Sequence, residues 1–131
     1  MNIKSCICGR PQPFAKCCDR FLSGKQHAKT PEQLMRSRFA AYALGGYGEY
    51  LLSTWFPASA MGLTASDLSE KIVDWQRLEV ISSSQKGDNG TVEFNAWFKK
   101  SPSSDETEIM HEISEFVRIQ SRWLYVGGKV S

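Results

Sequence analysis

The chain has 131 residues with 41% apolar and 11% aromatic side chains, which is the composition of an ordinary globular protein. That length allows one domain with one real core and excludes two full ones. The net charge of +2 is unevenly spread: residues 1–29 carry six bases against one acid, and residues 30–131 carry ten bases against thirteen acids. No apolar run approaches the roughly 18 residues of a membrane span. The start, Met-Asn-Ile-Lys-Ser, lacks the apolar centre of a signal peptide. A cytoplasmic location is therefore expected, and a reducing compartment also favours thiolate–metal sites over disulfides.

The first segment, residues 1–29, holds all four cysteines of the chain, Cys6-x-Cys8-Gly9 and then Cys17-Cys18. Two close pairs on tight turns can meet around one ion, and Gly9 permits a turn whose N–H groups point at sulfur. Four soft ligands from one short stretch suit tetrahedral zinc. Cys6, Cys8, Cys17 and Cys18 are thus the expected metal ligands. With four protein ligands the shell is closed, so the metal would hold a loop in shape without activating water. The competing chemistries are disulfides, free thiols and an iron–sulfur cluster, and adjacent cysteines suit the last poorly. The bases around the motif (Lys4, Arg10, Lys16, Arg20, Lys25 and Lys29) either offset an anionic zinc–thiolate centre or form a docking surface for an acidic partner. No helix or groove with interleaved aromatics points to nucleic acid specifically.

A polar stretch at 23–30 reads as a linker, in which His27 is simply solvated. A helix follows from Pro31 to about Leu44. Thr30 is the N-cap, Gln33 completes a capping box, Pro31 suits the first turn, and Gly45-Gly46 ends it. Met35, Phe39 and Tyr42 share one face, and Arg38 falls between that stripe and Leu34/Ala41, where apolar residues point. Arg36 lies on a different side. A second helix is predicted over Tyr47–Thr54 with Pro57 closing it. A third runs from about Ala65 to Val73, with Leu68 and Ile72 packing.

Strands are predicted from Trp75 to about Ser84, from Thr91 to Lys100, from Glu106 to Gln120 and from Trp123 to Val126. Gly87-Asp88-Asn89-Gly90 forms the first hairpin turn. In the second strand Val92, Phe94, Ala96 and Phe98 alternate with polar residues. Helices followed by an antiparallel meander make an α+β plan, a curved sheet wrapped on one long helix. The four tryptophans are expected in the core.

Several of these stretches resemble a known family. Cys6-Ile-Cys8-Gly9 … Lys16-Cys17-Cys18 is similar to the SEC-C motif, the zinc-binding knuckle also found at the C-terminus of the translocase ATPase SecA. The resemblance continues through Pro31–Tyr42, Tyr50–Pro57, Trp75 with Leu78, Val92–Phe98 and His111–Phe116. It ends on Arg122-Trp-Leu-Tyr-Val-Gly127. This nearly complete run resembles the YchJ-like family, in which a SEC-C motif precedes a domain of the nuclear transport factor 2-like (NTF2-like, or cystatin-like) cone fold. The resemblance divides the chain into a knuckle and linker, 1–29, and a cone, 30–131. Where many relatives have His after Thr54-Trp55, this chain has Phe56, and it shows one knuckle where many relatives have two.

Arg36, Arg38, His111, Glu112 and Ser114 match recurring family positions. An unpaired buried charge costs several kcal/mol, so Arg38 is expected to pair with Glu112, or with Glu115 as second choice. The pair either closes the cone or lines a ligand pocket with His111 and Ser114. Glu112 or His111 would then serve as acid–base group and Arg38 as anion anchor. The resemblance implies a zinc-binding, non-enzymatic protein whose knuckle contacts a protein partner, in translation or secretion, with the ribosome or nucleic acid as a further partner. The alternative is a small-molecule or enzyme site in the cone. Cones of this fold often pair through their sheets, so monomer and homodimer are both open.

Overall fold

The computed structural model describes residues 5–131; Lys4, counted above with the basic arm, lies outside them. The N-terminal arm is irregular. Ser5 bridges to Pro13, a 3-10 turn spans Phe14–Lys16, and a short helix α1 covers Asp19–Leu22. Helix α2 occupies Pro31–Leu44, as its end signals predict. Thr30 Oγ1 accepts from Gln33 N at 3.1 Å, while the Gln33 side chain accepts from Lys29 N at 2.8 Å, one residue earlier than a standard capping box.

Three short helices follow: α3 (Gly48–Ser53), α4 (Pro57–Ala60) and α5 (Ala65–Ser69). Pro57 does not simply close the second helix. It opens α4 at the first-turn position, where a missing N–H costs nothing. The third helix ends four residues early, and Ile72 is 79% exposed instead of packed. After Ser69 the chain must turn back to start the sheet, and Glu70 is already extended.

The sheet is a four-stranded antiparallel meander, β1 (Asp74–Lys86), β2 (Asn89–Lys99), β3 (Glu108–Ile119) and β4 (Arg122–Val130), in that order. The first hairpin loop is only Gly87-Asp88, since Lys86 pairs with Asn89. Gly87 at φ +62° suits the turn that places glycine first. The last strand is predicted to end at Val126. The strand instead continues through Gly127 and Gly128 to Val130, held by pairing with β3. Its outer edge is covered by Thr54–Phe56, where Phe56 N donates to Tyr125 O and Tyr125 N donates to Thr54 O.

Helix α2 is buried on two sides. Leu34, Met35, Phe39 and Ala43 meet Leu78, Val92, Phe94, Ala96, Phe116 and Trp123 of the sheet. Its other side, Ala40 and Ala41, meets Leu51, Leu22 and all four cysteines. The arm is thus packed onto the helix as a second small core. The Trp123 indole donates to Lys29 O and pins the end of the linker.

Candidate metal centre and cone cavity

Cys6, Cys8, Cys17 and Cys18 come together. Their Sγ atoms all lie within 4.8 Å of one another, and Cys8 Sγ and Cys17 Sγ are 3.5 Å apart. Metal–thiolate bonds of about 2.3 Å at tetrahedral angles place sulfurs about 3.8 Å apart, so the cluster has the right size for one four-coordinate ion. None of the four is in a disulfide, and each is at most 3% exposed. Two turns build the site. Gly9 N closes the first onto Cys6 O at 3.1 Å, with Gly9 at φ +96°. A side chain at Gly9 would press on Leu78 O at 2.9 Å, so glycine is required there for space as well as for φ. The second is the 3-10 turn that presents Cys17, followed by Cys18 as N-cap of α1.

The thiols are electrostatically frustrated as a set. The Cys18 thiol, then that of Cys8, holds Cys6 down to about 2. Burial, then Cys8, pushes Cys17 up to about 12, and Cys6 above all pushes Cys18 upward. The Cys6 thiolate is thus favoured while Cys17 and Cys18 keep their protons. A bound divalent cation removes the conflict by letting every sulfur ionise. The donor set therefore fits a metal.

A clasp ties this centre to α2. Arg36 Nη1 donates to Cys8 O at 2.7 Å, and its Nε meets Glu32 Oε2 at 2.9 Å, which also takes Arg10 Nη2 at 3.2 Å. Arg36 sits one turn after Glu32, the i,i+4 spacing that stabilises helices. That spacing is visible in the sequence, but the acceptor Cys8 O is not. Burial alone would raise the Glu32 pKa, but the hydrogen bond and charge of Arg36, with Arg10, lower it overall. The folded value lies below the unfolded one, so this stability is present above about pH 4.3 and is lost as pH falls through the folded value. Urea midpoints of wild type and Glu32→Gln should accordingly differ by a constant amount near neutrality and converge in acid. A gap that persists unchanged into strong acid would rule the clasp out as a source of pH dependence.

Three of the predicted pocket residues, Arg38, Glu112 and Ser114, line one half-enclosed cavity of about 240 Å³ between α2 and the sheet. The expected Arg38–Glu112 pair is not formed. Arg38 is 3% exposed, and its Nη1 donates at 2.7 Å to both Leu51 O and Thr54 Oγ1. Its guanidinium lies 4.9 Å from the Trp55 ring and 4.7 Å from the Tyr125 ring. The physical reason lies in α3, whose C-terminal end leaves carbonyls without helical partners and carries a partial negative charge. Burial lowers the Arg38 pKa, while the Tyr42, Tyr125 and Tyr50 rings oppose that shift.

Glu112 turns away to its own strand neighbours. Ser114 Oγ, fully buried, donates to Glu112 Oε2, and Tyr125 Oη does so at 3.5 Å. Burial, then the Glu112 charge, pushes the Tyr125 phenol up to about 12, so it stays protonated and remains a donor. The carboxylate also lies against Gly128, where a side chain would collide with it. Glu115, the second choice, is exposed on the outer face of the sheet.

His111 does not join the cavity. Adjacent residues of a strand face opposite sides, so with Glu112 inward His111 points outward. There its Nε2 meets Glu93 Oε2 at 2.7 Å and its Nδ1 meets Ser131 Oγ at 2.6 Å. The aromatic partners of Arg38 (Trp55 and Tyr125) escaped the sequence reading, which looked for a carboxylate. No helix among the described residues is long and apolar enough to cross a membrane.

Comparison with known proteins agrees with this architecture. A family model described as the YchJ middle NTF2-like domain matches residues 30–128. A UPF0225 protein of Chromobacterium violaceum is 40% identical over 131 residues, spanning 97% of this chain and 93% of the relative. One from Corynebacterium glutamicum is 36% identical over 130 residues, spanning 97% and 98%. Among solved structures, a SEC-C motif containing protein from Rhodopseudomonas palustris superposes with a TM-score of 0.86 at 34% identity, covering 96% of this chain and 98% of that one. Another, from Psychrobacter arcticus, gives 0.81 at 28% identity, covering 98% and 84%. With a four-cysteine cluster able to hold a metal packed against an NTF2-like domain, the chain belongs to the YchJ-like UPF0225 family of SEC-C motif proteins.

Proposed function

We propose that this is a zinc-binding, non-enzymatic protein whose knuckle presents a basic surface to an acidic protein partner, of the kind met in translation or secretion. The observation that carries the reading is the closed, buried set of four thiols. Four sulfurs in a tetrahedron-sized cluster select zinc or iron–sulfur. A tetrahedron with no open position supports a scaffold role and not water activation.

The charges of the arm divide into two groups. Arg10 is spent on Glu32, and Arg20 donates to Cys17 O at 2.9 Å while lying over Phe21. Lys16, Lys25 and Lys29 are exposed. Lys25 and Lys29 flank a shallow depression with His27 and Ser121, which joins the linker to the turn between β3 and β4. These lysines are the surface offered to the partner, and the metal fixes the backbone that carries Lys16.

The test compares wild type, Cys17→Ser and a Lys16→Glu/Lys25→Glu/Lys29→Glu variant as bait, with metal content measured on the same samples. One zinc per chain is expected in wild type and in the charge variant, and less than a tenth of that in Cys17→Ser. The same partner should be captured by wild type alone, from nuclease-treated extract. A partner kept by the charge variant would sink the basic-surface reading. A partner lost on nuclease treatment would move it to nucleic acid or the ribosome. A metal other than zinc would overturn the cofactor assignment alone.

A further inference from the structure

The cone cavity has features that the knuckle does not need, since no cysteine lines it. Arg38 is buried with no carboxylate within ion-pair distance among the described residues. The nearby acid, Glu112, is held by Ser114 and Tyr125. Beside Arg38, the Trp55 indole N–H is buried and has no hydrogen-bond acceptor among the described residues. Buried donors of this kind are ordinarily satisfied, and a native exception points to a missing partner. The guanidinium lies over the Trp55 ring, and both residues line the cavity, so the cation and the orphan donor belong to two adjacent residues of its wall. Much of the remaining wall is aromatic, including Phe39, Trp75 and Phe94.

We propose that the cone cavity binds a small aromatic carboxylate. Its carboxylate pairs with Arg38 and accepts the Trp55 indole N–H, and its ring lies against the aromatic wall. Size agrees with the chemistry. An apolar cavity of about 150 Å³ takes benzene, so about 240 Å³ accommodates one ring with a short acidic arm. A guanidinium matches a carboxylate in geometry as well as in charge. An apolar pocket with a few convergent polar groups is the usual form of a small-molecule site. The proposal goes beyond the interaction reading and stands or falls without it.

The test is a titration of the intact, metal-loaded protein, following the indole N–H signals of its four tryptophans by NMR. The probes are phenylacetate, phenylacetamide and phenethylamine, which share a ring and differ in charge. Phenylacetate should shift the Trp55 signal saturably, and the neutral amide should bind at least about tenfold more weakly. Trp55→Phe assigns the signal and keeps a ring beneath Arg38, and it should weaken phenylacetate about tenfold. Equal affinity for the three probes would overturn the proposal, as would tighter binding of the amine. So would a Trp55 signal that does not move with millimolar phenylacetate, or movement confined to the other indoles. Should Trp55→Phe fail to fold, the preference for acid over amide in the wild type decides the matter.

Discussion

Replacing Cys8 with serine is expected to abolish metal binding and lower the melting temperature by roughly 10–20 °C. Cys8 is fully buried at the centre of the second small core. Serine supplies a harder, shorter ligand, and the remaining three thiols lose the cation that would let them ionise together. The arm would then loosen from Ala40, Ala41 and Leu51. Losing the burial of the cysteines and of Leu22 from that core costs about 3–5 kcal/mol at ~1.5–3 kcal/mol per large apolar side chain, some of it retained by collapse. The sheet side of α2, with Phe94, Phe116 and Trp123, has its own core. Far-ultraviolet circular dichroism at room temperature should therefore stay close to that of wild type. Chelation of the wild type should reproduce the shift. A change of less than about 2 °C would show that the thiol cluster adds nothing to the fold. Complete loss of the cone would show that the two cores are one cooperative unit.

Gly48→Ala is the second large effect expected. The Cβ of alanine would fall far inside the contact distance to Ala65 O, with the Ala65 carbonyl carbon 2.7 Å away. That obstacle is backbone, and it cannot swing aside as the end of a side chain would. Gly48 N also donates to Ser69 Oγ at 2.9 Å, so α3 and α5 are locked at close range. Overpacking costs ~1–3 kcal/mol and sometimes more, and this site should reach the upper end. Gly127→Ala is the matched control, because nothing lies within 4 Å of its new Cβ. Its effect should stay within about 0.5 kcal/mol. Chemical denaturation of the two variants side by side checks the contrast. Equal midpoints would mean that α5 moves away from α3 without penalty.

Much of this protein is legible residue by residue. The cap at Thr30, the stop at Gly45-Gly46 and the apolar positions of α2 are local signals, and the helix ends where they say. The alternation of Val92, Phe94 and Ala96 is equally local, and those side chains are buried. Four cysteines within thirteen positions announce a cluster able to hold a metal because so short a chain can bring them together. The errors have local causes too. Gly127 and Gly128 carry no strand signal of their own, yet pairing with β3 keeps both in β4, and the space required by Glu112 explains Gly128. His111, expected beside Glu112, faces away from it because strand alternation places neighbours on opposite faces.

The sequence by itself determined the clustering of the four cysteines, the long helix with its ends, the order of the strands and the burial of Arg38. Those follow from periodicity, caps and turn chemistry, which act over a few residues. Only the tertiary structure decided that the cysteine arm docks on the alanine side of α2, making the helix a divider between two cores. It also decided that Arg38 spends its Nη1 hydrogen bonds on the end of α3 and leaves Glu112 to Ser114 and Tyr125. A buried cation takes whichever acceptors packing leaves unsatisfied within reach. Those acceptors are backbone carbonyls and hydroxyls at a helix end, set by how distant segments meet and not by the residue types along the chain.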